Sequence, residues 1–315
     1  MSEELASGQR PVSGLLEQPS HPQPKDLALL FVGVLCGSAA PPLMAAAAVP
    51  ALAIAFWRNA MALVVVWPVA LIHDRRAFRA VRPRLALAIA FAAAMLAVHF
   101  TAMATALQYT SVASAAALIC SQSIWAALFS RLLGERLPGV AWVGILLALA
   151  GVVVVTGIDV SLSPRALLGD ALAVVAGMAG GAYMVTGGVV RREVGVNVYT
   201  ALCYSACALF TLVPLLITGQ DLGGYAPVAW VQLIALTVLA QLLGHGLFNL
   251  VMRSVSPSLV SLGQLFTVPV AAVLAAVFLG QVPPIAVLPA LGLMLAGTAL
   301  VAMSHRRQAA RAENL

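Results

Sequence analysis

The sequence predicts an all-α integral membrane protein with ten transmembrane helices arranged as two inverted five-helix repeats, and three observations carry that expectation. Hydrophobic residues make up 62% of the 315-residue chain and charged residues 9%, at a mean hydropathy of +1.01. That composition leaves too little polar surface to cover a soluble globule. Charge-free stretches run from Leu85 to Ser130, from Val194 to Gln220 and from Ser254 to His305; the first and last are each more than twice the roughly 20 residues of one span. Finally, residues of the first half recur in order in the second at nearly constant spacing.

The spanning element is helical, because the apolar runs are continuous and rich in Ala, Leu and Val, whereas a barrel would show alternating segments of about ten residues. Residues 1–26 are polar and carry Pro11, Pro19, Pro22 and Pro24. They lack the charged start, apolar core and small-residue cleavage site of a secretory leader, and read as a disordered cytoplasmic tail.

Hydropathy breaks, with Pro, Gly and Arg clusters, place helices near 27–47, 50–72, 84–107, 110–132, 138–157, 168–190, 196–218, 228–252, 257–279 and 284–303. With a cytoplasmic N-terminus, one face collects Arg10, Lys25, Arg75, Arg76, Arg79, Arg82, Arg84, Arg131, Arg136, Arg191, Arg192, Arg253, Arg306, Arg307 and Arg311. The opposite face holds only Arg165, and Arg58 falls inside helix two. A missed or invented span would scatter these clusters over both faces, so the positive-inside rule supports ten spans with both termini inside. It also accounts for the net charge of +6 without a nucleic-acid partner; the expected partners are the lipid bilayer and a small-molecule substrate. A monomer is compatible with the sequence, which leaves oligomeric state open.

The internal symmetry is specific. Asp26, Gly33 and Gly37 recur as Asp170, Gly177 and Gly181 at a separation of 144, and Ser111-Val112 as Ser254-Val255 at 143. Pro68, Leu133-Gly134, Pro138 and Ala150-Gly151 recur as Pro214, Leu279-Gly280, Pro284 and Ala296-Gly297 at 146. One match in so Ala- and Gly-rich a chain would be chance, but an ordered series indicates duplication. Five helices per unit is an odd number, so the second copy enters the bilayer from the opposite face.

The run Leu-Leu-Gly-Glu-Arg-Leu-Pro at 132–138 closes one long helix and opens another that carries Gly144 and Gly151. With Phe-Trp-Arg-Asn-Ala at 56–60, it resembles the EamA-type domain of the drug/metabolite transporter superfamily. The resemblance covers 27–157 as a first repeat and 168–303 as a second, leaving 304–315 as a cytoplasmic tail, and is nearest to bacterial exporters of aromatic amino acids. The second copy departs from the pattern at Leu-Gly-Gln-Val-Pro-Pro, 279–284, where the family commonly has an acid. The resemblance implies a secondary transporter of the bacterial inner membrane that exports amino acids by alternating access. Helices one to four and six to nine would surround a central cavity, with five and ten peripheral.

Arg58 is the sharpest single feature, since an Arg near mid-span costs roughly 2.5 to 3.5 kcal/mol on insertion scales. It reads either as a cation for a substrate carboxylate or as a buried structural Arg bonded to carbonyls. His99 and His245 are candidates for substrate binding or proton coupling, against the plainer reading of satisfied polar residues. Asn59, Gln108, Gln122, Gln241, Asn249 and Gln264, with Trp57, Tyr109, Trp125, Tyr183 and Tyr204, supply hydrogen bonds and rings for a zwitterion with an apolar side chain. Of these, Trp57, Asn59, Tyr109, Gln122, Tyr183, Asn249 and Gln264 join Arg58 and the histidines as the candidate binding set. Pro41, Pro42, Pro68, Pro214 and Pro269 are candidate bends about which helices rock, and the glycine pairs permit close helix contact.

No Asp or Glu falls inside a span so placed; Asp26 and Asp170 stand at helix starts, where capping and the helix dipole explain them. A carboxylate relay is therefore not expected, leaving facilitated movement or coupling through histidine. Cys36, Cys120, Cys203 and Cys207 lie in apolar stretches without metal-site or disulfide spacing, so no metal and no cofactor is expected. A nucleotide sugar, a sugar phosphate or a drug is the alternative cargo. An integral-membrane enzyme is the alternative class, and would need a His, Asp, Glu or Cys cluster that the sequence does not display.

Overall fold

The computed structural model describes residues 23–134, 137–191, 193–251 and 263–313; the expected N-terminal tail over 1–22 and the expected start of helix nine at 257 lie outside them. All regular elements among the described residues are helical. Among the described residues, eight helices are long and apolar enough to cross a membrane: α1 (Pro24–Ala46), α2 (Ala51–His73), α3 (Pro83–Ala106), α4 (Val112–Leu132), α5 (Gly139–Asp159), α6 (Ala166–Val190), α7 (Val196–Ile217) and α8 (Pro227–Phe248). Two shorter apolar helices follow, α9 (Gly263–Leu279) and α10 (Val287–Val301). The helix that contains α10 continues to Glu313, past the expected boundary at 303.

Local chemistry sets the breaks. Pro24, Pro83 and Pro227 open α1, α3 and α8, in the first turn where a missing N–H is no loss. The long apolar run over helices three and four is interrupted because the Ser111 hydroxyl accepts the Ser114 N–H at 3.1 Å and caps α4. The recurring Leu-Gly has a conformational reason: Gly134 and Gly280 stop α4 and α9 at φ of 99° and 67°, a region where a side chain is strained.

The contacts of the first repeat reappear, exchanged, in the second. α3 packs along α6 and α8 along α1; α3 touches α7 and α2 touches α8; α2 meets α7 and α5 meets α10. This is the pattern a two-fold axis between inverted copies generates. The α5–α10 pair is drawn together by glycine: a Cβ on Gly297 would lie 2.5 Å from the Gly144 carbonyl, and one on Gly151 2.9 Å from the Ala290 carbonyl. Gly151 and Gly297 are repeat mates, as are Gly144 and Ala290, so the two contacts are images of one another. The other glycine pairs are not used equally. Gly177 and Gly181 press against α4, whereas Gly33 and Gly37 press against Phe248 of α8.

Several helices are interrupted. α1 breaks at Ala39 into Pro24–Ser38 and Ala40–Ala46, with Pro41 and Pro42 opening the second piece. α2 and α7 contain Pro68 and Pro214. Pro269 lies in the first turn of the segment Thr267–Leu279, so the interruption of α9 falls just before it, at Phe266. α8 is α-helical over Pro227–Ala235, π-helical over Leu236–His245 and α-helical again over Gly246–Val251; such widened turns recur at functional sites.

Two acidic residues depart from expectation. α6 begins at Ala166 and no side chain caps it, so Asp170 lies beyond its first turn and capping does not explain it. α5 extends as helix to Leu162 and so includes Asp159. Both carboxylates are buried and converge on one hydroxyl, Thr110 Oγ1, at 3.3 Å from Asp159 and 2.8 Å from Asp170. The expectation that spans hold no acid is therefore corrected at the α5–α6 junction, because α5 runs more than a turn past its hydropathy limit at 157 and α6 begins before 168, which sets Asp170 in its second turn.

Candidate functional site

A cavity of about 120 Å³ lies between the two repeats. Gly37, Ala40 and Pro41 of α1, Arg58 of α2, His99, Phe100 and Met103 of α3, and Ala116, Ile119, Cys120 and Gln122 of α4 line one part of it. Ala240, His245 and Phe248 of α8 and Gln264 and Thr267 of α9 complete the wall. Among the described lining residues there is one permanent cation and no carboxylate. α6 and α7, expected around the cavity, contribute none of these residues; they support α3 and α2 from behind.

Arg58 is 1% exposed, yet no carboxylate among the described residues partners it. Its Nε and Nη2 donate to a single oxygen, Gln241 Oε1, at 3.0 and 2.6 Å. Among the described residues Nη1 reaches only the Met44 sulfur, at 3.8 Å, and Phe100 lies under the guanidinium with its ring centre 3.6 Å from Cζ, a cation–π contact. Gln241, also 1% exposed, is itself held: its Nε2 donates to Asn59 Oδ1 at 3.4 Å while Asn59 Nδ2 donates to the Ala55 carbonyl at 2.8 Å. Among the described residues, the arginine is thus an oriented, desolvated cation balanced by dipoles.

His99 Nδ1 lies 2.8 Å from the Ala176 carbonyl. A carbonyl only accepts, so Nδ1 carries the proton and Nε2 is left for another partner. His99 and His245 are 146 apart, the same offset that relates Pro68 to Pro214, so they are repeat mates that face one cavity from α3 and α8.

Of the sequence-selected candidates, the fold brings Arg58, His99, Gln122, His245 and Gln264 to this cavity, and Asn59 to its edge through Gln241. The others are placed elsewhere. Trp57 points away, donating to the Leu222 carbonyl at 2.9 Å and packing edge-on to Trp230. Tyr109 stands at the α3–α4 turn, 5.9 Å from the Arg165 guanidinium. Tyr183 stacks on Tyr199 with ring centres 6.5 Å apart. The side chain of Asn249 lies outside the described residues. Gln241, noted in the sequence only as one amide among several, proves to be the partner of Arg58; its place one turn before His245 on α8 was the available signal. Phe100 and Met44 carried none.

The EamA-like transporter family model matches residues 17–157 and again 167–303. This chain belongs to that family. The double match makes it a multi-pass membrane transporter built from two EamA-like units, in agreement with the exchanged helix contacts. No curated protein matches the EamA-like chain. A crystal structure described only as that of a protein matches it with a TM-score of 0.63 at 20% identity, over 90% of this chain and 99% of its own. At that identity the likeness speaks for the fold of the EamA-like transporter and not for its cargo.

Proposed function

We propose that this EamA-like transporter exports neutral amino acids, aromatic ones foremost, across the bacterial inner membrane by alternating access of its two halves. In this reading ten helices span the bilayer and both termini are cytoplasmic. The observation that carries the cargo class is Arg58: a buried guanidinium at the wall of a cavity without described carboxylates is a ready partner for a carboxylate brought by the substrate. Gln122, Gln264, His99 and His245 supply hydrogen bonds for an ammonium and the rest of the polar head, and Phe100, Met103 and Ile119 supply apolar surface for a side chain.

A single arginine suits one carboxylate better than the multiple charges of a phosphate, and the lack of cavity acids disfavours cationic drugs. Movement down the substrate's own gradient is the simplest mechanism with these residues. Proteoliposomes loaded with labelled phenylalanine and other neutral amino acids test the reading. Flux that saturates and is competed by unlabelled substrate is the expected result; folded protein that moves none of them overturns it.

A further inference from the structure

A second cavity, about 260 Å³, lies between the C-terminal half of α2, the start of α7 and the end of α8. Its walls are apolar, chiefly Val65, Val69 and Leu250, and polar groups collect in it at Asn197, Thr200, Tyr204 and Gln241. Its position follows from an asymmetry between the repeats: α2 packs on α3, but their mates α7 and α8 make no comparable contact and the crevice occupies the gap. Arg58 lines the central cavity and Gln241 lines the crevice. The crevice residues of α2 follow Arg58 by two turns, whereas on α8 they alternate with those of the central cavity, so the two spaces flank α8 and the Arg58–Gln241 hydrogen bonds stand between them.

The bond is poorly matched to its donors. Two N–H groups of a guanidinium edge converge on one amide oxygen, whereas a carboxylate offers one oxygen to each in a bidentate fork and brings a full opposite charge that the amide lacks. The Gln241 amide is aimed at Arg58 by Asn59, whose Oδ1 accepts Gln241 Nε2. It is a neutral oxygen held where a charged one would bind better.

We propose that Gln241 is the gate and the specificity element of the transport path: its amide oxygen holds the substrate carboxylate's place on Arg58 and closes the partition, and an arriving carboxylate opens the way to the crevice by displacing it. This rests on the reading of Arg58 as a carboxylate site. Discrimination follows from the exchange, because an uncharged analogue offers Arg58 nothing stronger than the amide it already has.

Two measurements test the proposal separately. In the first, binding of 3-phenylpropionate and of its amide is measured on the detergent-purified full-length protein. The wild type binds the acid and not the amide, and Gln241→Glu, which supplies Arg58 with an internal carboxylate, weakens the acid by about tenfold or more without lowering thermal stability. Undiminished binding by Gln241→Glu overturns the place-holding role, whereas a folded wild type that binds no acid overturns the carboxylate reading of Arg58.

The second needs no substrate. Cys120 lines the central cavity, and its labelling by a sulfonated, membrane-impermeant maleimide is followed in right-side-out and inverted vesicles. Gln241→Ala accelerates labelling from the crevice face and Gln241→Glu does not. Equal rates for wild type and Gln241→Ala from both faces overturn the gate, whatever the cargo proves to be.

Discussion

Gly144 and Gly297 meet backbone to backbone at the crossing of α5 and α10: a Cβ on Gly144 would stand 2.6 Å from the Gly297 carbonyl oxygen, and one on Gly297 2.5 Å from that of Gly144. Neither helix has room to yield a methyl group. Gly297→Ala is expected to cost about 1–3 kcal/mol by overpacking, read as a lower melting temperature in detergent. Gly292→Ala, on the same helix with nothing within 4 Å of the added carbon, is the matched control and should be neutral or slightly stabilising. Equal effects of the two would mean that the crossing is not tight.

Arg58 is expected to be needed for flux and not for folding. Arg58→Gln removes a charge whose placement in a span costs roughly 2.5–3.5 kcal/mol, so folded yield should hold while phenylalanine flux disappears. Arg58→Lys keeps the charge but loses the fork that Gln241 now occupies, and should retain only a small part of the activity. Loss of folded protein in both would assign Arg58 to the scaffold.

Thr110 has one hydroxyl proton for two buried carboxylates, Asp159 and Asp170, and Asp170 Oδ2 is buried without a partner. Thr110→Val should therefore destabilise by about 1–3 kcal/mol. Asp170→Asn removes one of two neighbouring buried charges and should raise the melting temperature. In the Asp170→Asn background the penalty of Thr110→Val should shrink, because the shared bond is already relieved. Strict additivity would deny that the three groups act together.

His99 and His245 give a test of coupling. Asparagine at 99 can still donate to the Ala176 carbonyl as Nδ1 does, so His99→Asn removes the free ring nitrogen while keeping the α3–α6 bond. With facilitated movement, phenylalanine flux in proteoliposomes is unchanged by an imposed pH gradient, in the wild type and in the variant alike. A wild-type rate that follows the gradient, and ceases to in the variant, would make the histidines proton carriers.

Much of this architecture is written along the chain. The apolar runs, the Arg clusters and the Leu-Gly and Ala-Gly pairs are local or periodic signals, and apart from the last helix, which continues to Glu313, the described helix ends fall close to the hydropathy breaks. The site was legible only in part. An arginine or a histidine in a span is conspicuous because burying it is costly, so Arg58, His99 and His245 could be selected without a structure. Trp57 and Tyr183 looked equally suitable, but a few tens of degrees of helix rotation decide whether a ring faces a cavity, a loop or another ring. Asp170 reads from sequence as a capping residue because hydropathy does not fix where a helix begins, and Asp159 falls past the expected end at 157, whereas α5 continues to Leu162 and α6 begins at Ala166.

What the sequence alone determined is therefore the class of molecule, its duplicated plan and the residues too costly to bury without cause. The tertiary structure decided which of them meet. Helices of the two repeats pack against each other, so residues as distant as Arg58 and Gln241 become neighbours through the azimuth of α2 against α8, set by side-chain packing and by the π-helical turns of α8. Neither quantity has a periodic signature in an Ala- and Leu-rich chain, where many rotations bury the same apolar area.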